Sequence, residues 1–170
     1  MQSQVSYQEA ITRKYPEAIA LAIMKDPQGK YNPISLGWVM NTSHEPPMFA
    51  ISIGKTRYSY EAMEKAEEFV ISFPSTEMAE AVLLFGTKSG ADMDKLAASG
   101  LKTQPAEKID GMLLSDAVAN FECVLDGRLD SGDHDIFTGR VVASHIHEDT
   151  SVKRLYTLSA ELKMGGVKPE

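Results

Sequence analysis

The sequence is poor in features that mark several large classes of protein. It has 170 residues and one cysteine, Cys123, so no intramolecular disulfide can form. A soluble cytoplasmic protein is therefore expected, rather than a disulfide-stapled secreted domain. Positive charge is also scarce, since 17 lysines and arginines stand against 24 acids and give a formal net charge of −7. Because such a surface repels phosphate backbones and anionic headgroups, we expect no binding to nucleic acid or to membranes.

Long apolar runs and glycine-rich fingerprints are missing as well. The first residues lack the apolar core of a secretory signal. The apolar run 18–24 is far too short to span a bilayer. Neither the glycine pattern of phosphate-binding loops in ATPases nor that of classical dinucleotide-binding folds occurs. The sequence thus gives no support to ATP chemistry or to a Rossmann-type fold.

The apolar residues that are present predict one mainly β domain over residues 1–170. Continuous or alternating apolar runs predict strands at 18–24, 34–40, 48–54, 69–73, 117–125 and 135–147. The tetrapeptide Asp26-Pro27-Gln28-Gly29 predicts a type I turn, because proline presets φ and aspartate caps the turn. Gly139 is expected at a bulge or a bend of a barrel. The polar segments 41–47 and 129–134 are predicted to be loops.

A few short helices are expected between the strands. Tyr60, Met63 and Ala66 recur at helical spacing, and Ser59 directly before them is the expected N-cap. A second helix is predicted from residue 76 to residue 85. A third, over 91–99, is expected to end at Gly100, a favourable residue after a helix.

Three polar clusters are candidate binding sites. The segment 54–59, Gly-Lys-Thr-Arg-Tyr-Ser, joins cations, hydroxyls and a helix start, which together favour an anion such as a mononucleotide phosphate. Asn41-Thr42-Ser43 offers hydrogen-bonding groups for the edge of a planar heterocycle, although a plain turn that caps its own backbone explains these residues better. In Gly132-Asp133-His134-Asp135, the histidine has the chemistry to position a substrate or to move a proton.

Two further features have plainer interpretations. His145 and His147 lie on one face of a predicted strand, with Glu148 next, a spacing that occurs in metal sites but is not specific. We therefore predict no metal site and keep a metal-binding barrel only as an alternative. Cys123 falls at an apolar position of a predicted strand and is expected to be a small core residue.

Taken together, these segments resemble the flavin reductase-like family, in particular its flavoredoxin-like branch. The resemblance runs from Tyr15 to about Val142. It is carried by WVMNTSHEPPMFAISIGKTRYSYE (38–61), by FGTKSGADMDKL (85–96) and by SGDHDIFTGRVV (131–142). The family's Asp-Lys-Phe triplet reads Asp94-Lys95-Leu96 here, so an aromatic wall is missing. The family's Gly-Glu-Val reads Gly139-Arg140-Val141, which replaces an acid with a base.

The resemblance implies a split β-barrel that binds FMN, as a homodimer with each flavin near the subunit interface. It implies contacts with the isoalloxazine ring from Asn32, Trp38, Val39, Met40, Asn41, Thr42 and Ser43. It implies a phosphate site formed by Lys55, Thr56, Arg57 and Ser59, and a segment with Lys88, Ser89 and Lys95 that closes over the ring. His134 would position the nicotinamide or the acceptor.

The function implied is that of an oxidoreductase. NADH or NADPH would reduce the bound FMN, which would pass electrons to free flavin, a ferric complex or a protein. The alternative is a flavoredoxin-like electron carrier that does not react with a nicotinamide. The sequence does not identify the acceptor.

Overall fold

The computed structural model describes residues 1–167, and most of its regular structure is antiparallel β-sheet. Within these residues the strands are β1 (Glu17–Ala18), β2 (Ala20–Lys25), β3 (Tyr31–Leu36), β4 (Val39–His44), β5 (Pro47–Gly54), β6 (Glu68–Phe73), β7 (Thr103–Pro105), β8 (Met112–Leu114), β9 (Ala119–Ser131), β10 (His134–Ile146), β11 (Arg154–Thr157) and β12 (Met164–Val167). The helices are α1 (Tyr7–Ile11), α2 (Tyr58–Lys65), α3 (Ala79–Thr87) and α4 (Lys95–Ser99). A 3₁₀ turn over Thr76–Met78 leads into α3.

The main sheet has seven strands in the order β3-β2-β6-β9-β10-β5-β4. Strands β3 and β4 lie at its two opposite edges, yet only Gly37 and Trp38 separate them in the chain. Two residues bridge two edges only if the sheet curls on itself, and β3 indeed contacts β5. The mainly β class is thus confirmed, and the curl is that of a split barrel. The predicted single domain spans 1–170, of which residues 168–170 lie outside the described residues.

Two apolar clusters, one on each side of the main sheet, explain the sequence pattern of β2. Ala20, Ala22 and Met24 pack into the cluster that contains Ile51 and Phe137. Leu21 and Ile23 pack into the other cluster, against α3 and β8. A strand buried on both faces has no reason to alternate, so its sequence is a continuous apolar run.

Most local predictions are confirmed. The turn at Asp26 closes with a bond of 2.9 Å from the amide of Gly29 to the carbonyl of Asp26. α4 is capped by Asp94 and ends at Gly100, whose φ is +67°. Gly139 lies at a register shift between β9 and β10. None of the helices in residues 1–167 combines the length and the apolar character needed to cross a bilayer.

Five local predictions were wrong. The strand predicted at 34–40 is divided between β3 and β4, and the helix predicted over 91–99 begins only at Lys95. Residues 41–44 belong to β4, and only residues 45–46 form the turn to β5. β9 extends to Ser131, so the predicted loop 129–134 is a tight turn at residues 132–133 and His134 begins β10. Arg57 takes the N-cap position of α2, and Ser59 lies inside the helix. In the two segments that turned out to be strands, 41–44 and 129–131, a partner strand pairs with a polar segment, and this pairing outweighs its local turn propensity.

Gly139 provides a test of how tightly the two clusters pack. A Cβ at this position would lie 2.5 Å from Cζ of Phe69 and 3.0 Å from Cβ of Cys123. We expect Gly139→Ala to lower the free energy of unfolding by about 1–3 kcal/mol, because the buried ring has to move. Urea denaturation followed by circular dichroism measures this change.

Gly86→Ala is the matched control. Its Cβ would meet the nearest atom, Cβ of Ser35, at 3.5 Å, which is an ordinary contact, and it lies inside α3. We expect a change between zero and a gain of about 1 kcal/mol, because alanine favours a helix interior. Equal losses for the two variants would contradict the packing described here.

Candidate functional site

A polar cavity of about 200 Å³ brings together two segments that lie thirty residues apart in the chain. One segment leads into α2, and the other follows α3 and runs to the start of α4. The residues predicted as binding residues that line it are Thr56, Arg57, Ser59, Lys88, Ser89 and Lys95. The structure therefore gathers the predicted phosphate segment and the predicted closing segment around one space.

The charge of this cavity is the opposite of the charge of the whole chain. Arg57, Lys88 and Lys95 line it, and no aspartate or glutamate is among its lining residues. The chain carries a formal net charge of −7, so three cations without a carboxylate are a local exception. Uncompensated cations beside hydroxyl groups make a site for an anion.

Asn32 stands behind the cavity with an unused hydrogen-bond acceptor. Its side chain is 4 % exposed, and Nδ2 donates to Oγ of Ser59 over 2.8 Å. Among the described residues its Oδ1 is buried without a hydrogen-bond partner. A Cβ on Gly90 would overlap with this oxygen, so the loop after α3 can approach Asn32 only because residue 90 is glycine. A buried unpaired carbonyl next to a cationic cavity fits a polar ligand with a donor group.

An apolar cavity of about 400 Å³ lies on the outer face of β4, β5 and β10. Trp38, Val39, Met40 and His134 line it, as predicted for residues near a planar ring. The rings of Trp38 and His134 have their centroids 4.6 Å apart. Nδ1 of His134 lies 2.7 Å from Oδ1 of Asp133, and this contact lowers the pKa of the Asp133 carboxyl.

Gly54 lies between one residue of each cavity, Arg57 and His134. A Cβ at this position would lie 3.3 Å from Nε2 of His134 and 3.7 Å from Cγ of Arg57. A third cavity, of about 180 Å³, shares Ser35 with the polar cavity and Gly37 with the apolar one. Together the three form a groove that is cationic at one end and apolar at the other.

Five residues predicted as binding residues do not line this groove: Asn32, which stands behind it, and Asn41, Thr42, Ser43 and Lys55. Asn41, Thr42 and Ser43 lie on the outer half of the edge strand β4, where Asn41 and Thr42 are exposed and a bulge interrupts pairing with β5. Lys55 follows β5, and its ammonium contacts Asp130, the carbonyl of Gly132 and Asp135. Asn41, Thr42 and Ser43 lie further along β4 than the part that lines the cavity, and Lys55 is held by carboxylates of the β9–β10 hairpin, so neighbours of Trp38 and Arg57 need not share their site.

The sequence reasoning missed Asp135 as a structural centre. Its side chain is fully buried and contacts Lys55, Arg128 and the hydroxyl of Tyr60, which donates to Oδ2 over 2.9 Å. Burial acts to raise the pKa of the carboxyl, but the bonds from Arg128, Tyr60 and Lys55 outweigh it and lower that pKa. The sequence did contain one indication of this. Asp135 is two residues before Phe137 in the same strand, so both side chains are expected on the inward face of β10.

The two histidines whose spacing occurs in metal sites, His145 on β10 and His147 just after it, each contact a protein group. Nε2 of His145 lies 2.7 Å from the buried carboxylate of Glu122, which also accepts the amides of Glu107 and Lys108. Nδ1 of His147 accepts the amide of Asp149. Residues 1–167 contain no group of three or more histidine, cysteine or acidic side chains placed to hold a metal ion. Cys123 is buried in the core, and burial raises the pKa of its thiol to about 12.

Asp135→Asn tests whether this buried carboxylate fixes the tip of the β9–β10 hairpin. The amide keeps the shape but loses the charge-assisted bonds to Arg128 and Lys55. We expect the midpoint of thermal unfolding to fall by about 5 °C. The emission of Trp38, the single tryptophan, should also shift, because the ring of His134 moves with the tip.

Asp126→Asn on the same hairpin is the control, since Asp126 is exposed. It should change neither the unfolding midpoint nor the emission. The pKa of the Asp135 carboxyl is lower in the folded protein than in the unfolded chain. Its contribution to folding stability is therefore fully present above the unfolded-state pKa and is lost as the pH falls through the folded-state pKa. The difference between wild type and Asp135→Asn should therefore vanish in acid.

Comparison with known proteins gives one family over most of the chain. The family model described as the flavin reductase like domain matches residues 12–160. An uncharacterized protein of Pyrococcus abyssi is 36% identical over 118 residues, which are 69% of this chain and 67% of that protein. Two further uncharacterized relatives are matched over 64% and 54% of their lengths, so the chain spans about two thirds of these relatives or less.

Two named proteins are also similar. An NADH-dependent FMN reductase of Streptomyces nodosus subsp. asukaensis is 30% identical over 122 residues, which are 68% of this chain and 61% of that protein. A solved FMN-binding protein of Thermus thermophilus, with bound p-hydroxybenzaldehyde, is 25% identical. It superimposes with a TM-score of 0.86 and covers 100% of this chain and 98% of its own. The curled sheet with its short helices is thus the fold of a known FMN-binding protein.

Proposed function

Because the chain belongs to the flavin reductase-like family, we propose that it is an oxidoreductase that binds FMN and moves electrons from NADH or NADPH to an acceptor. The observation that carries the proposal is the polar cavity, where Arg57, Lys88 and Lys95 face one space without a carboxylate. Flavin mononucleotide has one strongly anionic group, its phosphate. The polar cavity is the cationic part of the groove, so its charge is complementary to that phosphate. The FMN and NADH in the names of the two relatives support the same assignment.

The volumes of the cavities indicate where the ribityl chain and the ring of the cofactor would lie. Sites for small molecules measure roughly 300–1,000 Å³. The polar cavity has about 200 Å³, enough for a phosphate and part of a ribityl chain only. The ring would then continue along the groove toward Trp38, Val39 and Met40, where the apolar cavity has about 400 Å³.

The roles of the side chains follow from this placement. Arg57, Thr56, Ser59, Lys88 and Ser89 would hold the phosphate, and Asn32 would accept a hydrogen bond from the ligand. His134, oriented by Asp133, would position the nicotinamide or the acceptor over the ring. When bound, FMN supplies the redox chemistry by accepting a hydride and returning two electrons. The chain's part is to bind, orient and tune the flavin.

The proposed homodimer accounts for the apolar outer face beside the groove. Trp38, Met40 and Leu129 are 48%, 58% and 62% exposed. Several large apolar side chains exposed on one face are typical of an interaction surface. β4 is an edge strand as well, and its outer half carries Asn41, Thr42 and Ser43. In a dimer across this face, these three residues would lie near a flavin at the interface, as the resemblance implies.

The flavin proposal predicts a yellow protein that binds FMN and bleaches anaerobically with NADH or NADPH. Arg57→Gln should weaken FMN binding by about thirty-fold, because a charged hydrogen-bond pair to phosphate is lost. Its affinity for riboflavin, which has no phosphate, should stay the same. Flavin fluorescence quenching measures both constants, and Lys65→Gln, in a surface pair with Glu61, is the control.

The outcomes separate the alternatives. A yellow protein that neither nicotinamide bleaches is an electron carrier of the flavoredoxin kind, fed by another protein. A protein that cannot be loaded with FMN contradicts the proposal.

The dimer proposal predicts that a charge on the outer face separates the subunits. Leu129→Lys should shift the sedimentation coefficient of the protein toward that of a monomer, since a desolvated lysine is costly in an apolar interface. Ile146→Lys, at the far end of β10 and 80% exposed, should leave the assembly intact. A wild-type protein that sediments as a monomer would remove the dimer from the proposal.

A further inference from the structure

Lys95 is a buried amine that has no anionic partner among the described residues. It is the first residue of α4, is 3% exposed and lines the polar cavity. Its Nζ lies 3.4 Å from the carbonyl oxygen of Phe85, the one hydrogen-bond partner it has within residues 1–167. Burial lowers the pKa of this amine to about 8. In the empty cavity, Lys95 therefore loses its charge only slightly above neutral pH.

The charged groups around Lys95 do not compensate it. Arg57 and Tyr58 reach the cavity from the start of α2, and Lys88 reaches it from the end of α3. From β3, Tyr31 donates its hydroxyl to Asp110. Asp94 precedes Lys95 and accepts the amide of Ala97 as helix cap. A carboxylate in this cavity would hold the lysine charged, and the lining supplies none.

We propose that an anion in the polar cavity binds Lys95 in its protonated form, so that FMN binding takes up a proton above neutral pH. This inference rests on the proposed function, and it assigns Lys95 to the phosphate rather than to the ring. Lys95 shares the polar cavity with Arg57, whereas Trp38, Val39 and Met40 line the apolar one. The resemblance alone placed Lys95 in the segment that closes over the ring.

The physical reason is the coupling between a nearby anion and the protonation of an amine. An opposite charge within contact distance favours the charged form and offsets the desolvation that disfavours it. The second pKa of a phosphate monoester is near 6, so the phosphate of FMN is already a dianion above pH 7.5. FMN itself therefore takes up no proton on binding. Riboflavin has the same ring without the phosphate. Comparing it with FMN therefore distinguishes a contact of Lys95 with the phosphate from a contact with the ring.

Calorimetry in buffers of different ionisation enthalpy measures the proton uptake. At pH 8.5 an amine with a pKa of about 8 is roughly one quarter protonated, so FMN should take up about 0.7 proton per site. Riboflavin should take up none. The dissociation constant for FMN should rise about ten-fold between pH 7 and pH 9, while that for riboflavin stays level.

Two variants separate binding from a merely structural role. Lys95→Met should abolish the proton uptake, flatten the pH dependence and weaken FMN but not riboflavin. Lys88→Gln removes an exposed cation of the same cavity, and it should weaken FMN while leaving the pH dependence in place. Lys95→Met should also raise the unfolding midpoint of the FMN-free protein at pH 7, because it removes a buried uncompensated charge.

Each outcome decides the inference. FMN binding without proton uptake, or equal weakening of FMN and riboflavin by Lys95→Met, overturns it and leaves the flavoprotein standing. If FMN does not bind, the proposed function fails, and inorganic sulfate then tests Lys95 by itself because its charge is constant between pH 7 and pH 9. Thermal stabilisation by sulfate that is larger at pH 7 and absent in Lys95→Met supports the inference; equal stabilisation at both values overturns it.

Discussion

The arrangement around the groove depends on one buried carboxylate. Asp135 is fully enclosed, and a charge in that position is tolerated only when it is paired and hydrogen-bonded. Its partners come from three places: Lys55 after β5, Arg128 on β9 and Tyr60 on α2. The requirement to neutralise one carboxylate thus ties together a turn, a hairpin and a helix. Arg57 and His134 lie on the segments so joined, and both approach Gly54.

The curl of the sheet places a polar surface beside an apolar one. Because β3 and β4 lie at opposite edges but are two residues apart in the chain, the edges have to approach each other. The loop after α3 and the start of α2 close one end of the resulting groove with cations, and the outer face of β4, β5 and β10 supplies the other end. A ligand with an anionic tail and a planar apolar head matches this gradient, and FMN is such a molecule.

Sequence reasoning succeeded at the site where chemistry was concentrated in short segments. Thr56, Arg57 and Ser59 were predicted together, Lys88, Ser89 and Lys95 separately, and the fold brings the two groups around one cavity. It was less informative for Asn41, Thr42, Ser43 and Lys55, which do not line the groove of one chain. A resemblance transfers a segment as a whole, whereas a side chain's direction depends on pairing and bulges that the segment does not contain.

The sequence by itself determined the mainly β class, the turn at Asp26, the helix end at Gly100 and the bulge at Gly139. The first three follow from local rules, that is, from apolar periodicity and from the φ values that glycine and proline allow, and the bulge was expected because a glycine inside a strand lacks a side chain. Only the tertiary structure decided that residues 41–44 are a strand, that Asp135 is a buried centre and that Lys95 is an uncompensated amine. Burial and charge pairing depend on residues far apart in the chain, so the curling of the sheet sets them.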